Sequence, residues 1–138
     1  KDGNIYSHHP NINTVRKAIR AIEFGDDDNF FAEFAENATF GGMFQDWGED
    51  DLSAKDFKAG FIDFKKNFTL NSCDNVWVKY YEFDRQLSEG TVQSWWRMSV
   101  TRKSDNKEIV FPVMYNHTFN EDGKITNHQE LWNESKLN

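Results

Sequence analysis

The sequence predicts an α+β domain in which three N-terminal helices pack across a curved antiparallel sheet that forms a cone. Three observations carry this. Apolar residues in the first half recur at helical spacing, those after Asn75 alternate with a period near two, and the two regimes do not interleave. Helices first and strands afterwards indicate α+β, whereas a parallel α/β sheet needs the two to alternate.

The first helix spans Asn13 to Phe24, where Val15, Ala18, Ile19 and Ile22 fall on one stripe. Gly25 ends it, and Asp26, Asp27 and Asp28 supply the cap and first-turn charge of a second helix running through Glu36, with Phe30, Phe31 and Phe34 on its buried face. Ala38 to Phe40 reads as a short strand, and Gly41 to Asp51, rich in Gly and acid, as a long loop. Ser53 with Asp56 predicts the capped start of a third helix lined by Phe57, Phe61, Ile62, Phe64 and Phe68, and Leu70 to Asp74 releases the chain. Turn clusters at Arg85 to Gly90, Ser104 to Lys107 and Asn120 to Gly123 then divide four strands of an antiparallel meander: Val76 to Asp84, Thr91 to Lys103, Glu108 to Phe119 and Lys124 to Trp132. A twisted sheet covered on one face by helices encloses a hollow, which is the candidate site.

With 138 residues the chain suits one domain, assigned to residues 12–138 behind a flexible lead of residues 1–11 that includes His8 and His9. The 13 Phe, 5 Trp and 4 Tyr exclude a disordered chain, since that much ring surface must be buried. A net charge of −7 argues against nucleic-acid partners, which need clustered Lys and Arg. No apolar run is long enough to span a membrane as a helix, and a soluble protein is expected. The start at Lys1 without Met is compatible with export and removal of a leader, and the compartment is left open. Cys73 has no partner for an internal disulfide. The acidic runs lack the ligand spacing of a calcium loop and read as caps and solvated surface.

The order of elements, the helix break at Gly25-Asp26, the phrase Phe34-Ala35-Glu36-Asn37-Ala38-Thr39-Phe40 and the final hairpin from Phe119 to Ile125 leading to Trp132 together resemble the nuclear transport factor 2-like superfamily, its SnoaL-like (polyketide cyclase-like) branch above all. That resemblance implies the cystatin-like roll, a pocket inside the cone with Trp132 in it, and frequent pairing of subunits sheet to sheet. It spans isomerases, cyclases, hydrolases, dehydratases and proteins without a reaction, so it does not imply one activity. Where the ketosteroid isomerases of that superfamily place their base, an Asp after the first strand, this chain has Gly41-Gly42-Met43. Their first-helix Tyr corresponds to Ala18 and their protonated Asp to Tyr115, so the isomerase mechanism as a whole does not carry over.

If the last turn closes Phe119 against Lys124, Tyr115 lies opposite His128, and Phe111, Val113, Tyr115, His117 and Phe119 share the concave face with Thr126, His128, Glu130 and Trp132. The catalytic candidates are His128 as general base, Glu130 to orient it, and Tyr115 to stabilise an oxyanion on a carbonyl compound. The expected pocket lining adds His117, Trp132, Val113, Phe111, Trp96 and Met98, with Trp47 closing over the ligand from the long loop. The same polar groups could instead satisfy one another in a core network. Two His and one Glu suit zinc or iron, but their spacing does not demand a metal, so no metal and no cofactor are assigned. On the outer face Trp95, Arg97 and Ser99 predict a homodimer.

Three functions compete: cofactor-independent acid–base catalysis of the cyclase, isomerase or hydratase kind on an apolar carbonyl compound; non-catalytic binding of an apolar small molecule in the same pocket; and an interaction module whose outer sheet is what matters.

Overall fold

The computed structural model describes residues 2–83 and 89–138. The lead, expected to be flexible, carries strand β1 (Gly3–Tyr6), which pairs antiparallel with β4 (Phe68–Phe83) through Gly3 to Tyr6. Helix α1 (Pro10–Glu23) starts earlier than its apolar stripe, because Pro10 fits the first helical turn and His9 caps it, its Nδ1 accepting from the Asn11 amide at 3.1 Å. His9, placed in the flexible lead by sequence, also stacks on Tyr80 with ring centroids 3.7 Å apart. Ile12, Val15, Ala18, Ile19 and Ile22 are buried.

Helix α2 (Asp27–Ala32) has the expected Asp26 cap but stops well short of Glu36. The Ile125 amide donates to the Glu33 carbonyl at 3.0 Å, and Phe34 pairs with Ile125. A tertiary strand partner therefore takes backbone groups that a longer helix would have used internally. Lys124 Nζ donates to the Ala32 carbonyl at 2.8 Å, placing a cation at the helix C-terminus. Strand β2 (Phe34–Gly42) is longer than the expected Ala38 to Phe40 and includes Gly41 and Gly42 from the expected loop.

Strand β3 (Leu52–Ser53) returns against β2, and Ser53 Oγ accepts from the Asp56 amide at 3.2 Å to open helix α3 (Ala54–Asn67). No residue of α3 is fully buried. Its Phe57, Phe61 and Phe64 are only partly covered although they face the sheet, so the helix roofs a hollow instead of filling it.

The remaining strands are β4 (Phe68–Phe83), β5 (Glu89–Arg102), β6 (Lys107–Phe119) and β7 (Ile125–Leu131), followed by a short 3-10 turn at Glu134–Leu137. Leu70 to Asp74, read as a release, lies inside β4; bulges between Leu70 and Ser72 and between Asn75 and Trp77 break the alternation that would have revealed the strand. The expected connection from Arg85 to Gly90 lies, up to residue 88, outside the described residues. At the β5–β6 turn Asn106 takes φ 57°, as a tight reversal requires. The sheet order is β1-β4-β5-β6-β7-β2-β3. The meander β4 to β7 is antiparallel as expected, and β2 joins it parallel to β7.

The last hairpin departs from the expected register. Phe119 pairs with Ile125, not Lys124, because Asn120 Oδ1 accepts from the amides of Asp122 and Lys124 and Gly123 adopts φ 76°, lengthening the turn by one residue. A second shift follows at Thr126. Its hydroxyl meets Thr118 Oγ1 at 2.9 Å instead of pointing into the cone, and from there His117 lies opposite His128 and Tyr115 opposite Glu130. The two shifts cancel in parity, so His128 and Glu130 still face inward.

Candidate active site

The inner sheet wall and α3 enclose a cavity of about 320 Å³, within the range of small-molecule sites. Met98, Phe111, Val113 and Trp132 line its sheet side, as the sequence predicts, together with Leu70. Phe57, Phe61 and Phe64 of α3 line the opposite side and Phe44 closes the loop side. The sequence alone does not assign those four rings to the pocket. The Phe spacing along α3 is a visible signal, but the same spacing describes an ordinary core stripe; nothing in the sequence distinguishes Phe44.

Three expected lining residues lie elsewhere. Trp47 is fully exposed at the tip of its loop. The loop is tied down elsewhere: Asp51 Oδ2 accepts from Asn127 Nδ2 and Gln129 Nε2, both at 2.8 Å, and Gln45 bridges the Gly42 amide to Asp51. Asp51 is thus an anchor and not merely solvated surface. Trp96 is buried beside the cavity, its indole N–H donating to Ser94 Oγ at 2.9 Å. His117 stands behind His128 and does not reach the lining.

The polar groups gather on one wall. His128 is fully buried among Phe30, Phe34, Phe40 and Phe57. Its Nε2 lies 3.0 Å from Glu130 Oε2 and its Nδ1 2.8 Å from His117 Nε2, so both ring nitrogens are engaged. Tyr115 packs its ring 5.1 Å from that of His128. Burial pushes the Tyr115 phenol well above its usual range, and the Glu130 carboxylate and Cys73 add to it, so Tyr115 remains a hydrogen-bond donor. No hydrogen bond among the described residues engages its hydroxyl or Glu130 Oε1. Burial, reinforced by His128, holds His117 well below the usual imidazole range. Cys73 is buried, its thiol pushed up to about 12 by desolvation and then by Glu23 and Asp74, which keeps it an unreactive thiol.

Among the described residues lining the cavity, no Lys, Arg or Asp accompanies Glu130. None of the described His, Cys, Asp and Glu side chains forms a group of three placed to hold a metal ion.

Gly42 sets how closely β2 approaches this wall. It pairs with Glu130 at φ 137°, and a Cβ there would lie 2.1 Å from the Glu130 carbonyl oxygen. Gly42→Ala is expected to cost about 1–3 kcal/mol in backbone strain alone, with the clash added. Thermal unfolding measures this, and an unchanged Tm would contradict the β2–β7 register.

Solved structures share this arrangement. A protein from Pseudomonas putida KT2440 provisionally called a polyketide cyclase superposes with a TM-score of 0.71 at 16% identity, covering 94% of this chain and 96% of its own. An NTF2-like protein of unknown function from Burkholderia pseudomallei K96243 gives 0.71 at 14% identity, covering 94% and 95%. The chain has the nuclear transport factor 2-like fold. A protein from Bacillus subtilis provisionally called an isomerase gives 0.68 at 19% identity, covering 91% of this chain and 88% of that one. No protein-family model and no curated protein matches the sequence. At these identities the nuclear transport factor 2-like likeness concerns the backbone, and the chemistry rests on this chain's own residues.

Proposed function

We propose that the chain binds an uncharged, apolar carbonyl compound in the cone and moves a proton on it, with Glu130 as the base and Tyr115 as the donor to the developing oxyanion. One observation carries this reading: an otherwise apolar cavity presents, on one wall, a carboxylate with an unengaged oxygen beside an unengaged phenol. The roles differ from those expected from sequence. His128 has no free lone pair to offer a substrate, since one nitrogen meets Glu130 and the other His117; it holds the carboxylate in place. Glu130 takes a proton from the carbon next to the carbonyl, Tyr115 donates to the oxygen as charge develops there, and Glu130 returns the proton to carbon. The provisional cyclase and isomerase names of structural neighbours are compatible with this class of chemistry. The test is exchange of deuterium from solvent into an apolar cyclic ketone such as β-tetralone, by the wild-type protein and by Glu130→Gln. Absence of exchange with wild type would leave binding without catalysis.

The outer sheet face supports a homodimer. Trp77, Trp95, Met114 and Leu131 are successive register partners across β4, β5, β6 and β7, and they form an apolar line in which Trp95 is 46% and Leu131 50% exposed. Arg97 also faces outward and reaches Asp74 at 3.7 Å, while Ser99 is covered and bonds Glu108. A line of this kind across the middle of a sheet suits a two-fold contact with a second copy. Sedimentation should show a dimer that Trp95→Ala weakens roughly 30-fold in Kd, the loss typical of a central Trp anchor. A monomeric wild type at micromolar concentration would refute it.

A further inference from the structure

We propose that His117 is a positioning residue that fixes the proton arrangement of the site wall: its Nε2–H donates to His128 Nδ1, His128 Nε2–H donates to Glu130, and Glu130 thereby keeps its full negative charge. This rests on the reading of Glu130 as the base, and explains why that base is backed by two imidazoles in series.

The row Glu130, His128, His117 contains two short contacts, 3.0 and 2.8 Å, and ends at His117 Nδ1, a buried atom with no partner among the described residues. Each contact needs one hydrogen, and a neutral imidazole carries one N–H. If the row runs from His117 towards Glu130, the end atom is a bare nitrogen. If Glu130 were protonated and donated to His128, the row would reverse and His117 would bury an N–H without an acceptor. If His128 were a cation donating from both nitrogens, His117 would again have to move its hydrogen to that end. Buried N–H groups without acceptors are rarer than acceptors without donors, so the unpartnered end atom selects the first arrangement.

The surroundings agree. Titratable groups facing the row are Tyr115 on β6 and, more distantly, Cys73 on β4; α2, β2 and α3 present Phe30, Phe34, Phe40 and Phe57. None supplies an acceptor for a hydrogen at the far end. A carboxylate–imidazolium pair, which an isolated Glu and His in contact readily form, would be a weak base because the cation already neutralises its charge. By keeping His128 uncharged, His117 leaves the pair with a net negative charge facing an apolar cavity.

The test is imidazole ¹⁵N NMR of both rings in the wild-type protein at neutral pH. Each of His117 and His128 should show one pyrrole-like Nε2 and one pyridine-like Nδ1. Two pyrrole-like nitrogens on His128, or a hydrogen on His117 Nδ1, would overturn the proposal. His117→Ser supplies a second reading, because its hydroxyl, with any water admitted to the vacated space, can accept as well as donate. The fixed arrangement on His128 should then be lost, its Nδ1 no longer purely pyridine-like, and deuterium exchange should fall at least 10-fold. If the serine variant does not fold, the wild-type spectrum decides alone. Failure of Glu130 as the base would show separately, as the predicted spectrum without catalysed exchange.

Discussion

Replacing Glu130 with Gln is expected to lower the rate of catalysed deuterium exchange by about 10²- to 10⁴-fold, the range general acid–base groups typically supply. The side chain keeps its size, and the amide can still offer an oxygen to His128 Nε2, so the wall should remain assembled. What is lost is the acceptor that takes the proton. Tyr115→Phe should cost less in the same assay, roughly 10²-fold, since it removes one donor to the oxyanion and leaves the base intact. Binding of β-tetralone, followed by fluorescence of the cavity Trp132, should change little in either variant, because the apolar lining, Phe57, Phe61, Phe64 and Phe111 among it, is untouched. A Glu130→Gln protein that exchanges deuterium as fast as wild type would remove the carboxylate from the chemistry and make His128 the group to examine.

How far the sequence could be read depended on whether the deciding interactions were local. Helix α1 and the start of α3 were legible because a stripe, a cap and a break are written within a dozen residues. The end of α2 was not, because its competitor for backbone hydrogen bonds is Ile125, far along the chain. Strand β4 hid its first half behind two bulges. For the site, side-chain alternation was enough to bring Tyr115, His128 and Glu130 to one wall, even though the assumed pairing of Phe119 with Lys124 was wrong; two one-residue shifts restored the parity. The proposed division of labour within that wall was not legible. Residue types say that a Glu and a His can pair, but only placed atoms reveal that His117 occupies the nitrogen His128 would need as a base. Trp47 failed for a similar reason, since its loop is held by Asp51 to Asn127 and Gln129 on a distant strand.

The second large effect is structural. Phe40 is fully buried where β2, α2, α3 and β7 meet: its ring lies 4.9 Å from Phe34, 4.5 Å from Phe57 in a near-parallel stack at 15°, and 5.5 Å from His128. Phe40→Ala should therefore cost about 3–5 kcal/mol, combining the lost burial with the void left among rigid rings. For a domain of this size that corresponds to a fall of roughly 10–20 °C in Tm, a large share of a typical total stability. Phe57→Ala makes the informative comparison. Phe57 stacks on the same ring but already borders the cavity on its other side, so truncating it enlarges an existing hollow and should cost about half as much. The two substitutions should differ in the opposite sense for ligand: Phe57→Ala should weaken β-tetralone binding strongly, whereas Phe40→Ala, in whatever fraction remains folded, should weaken it less. Equal stability losses would mean that the space under α3 is filled by side chains in solution, and the cone would then have no room for a substrate.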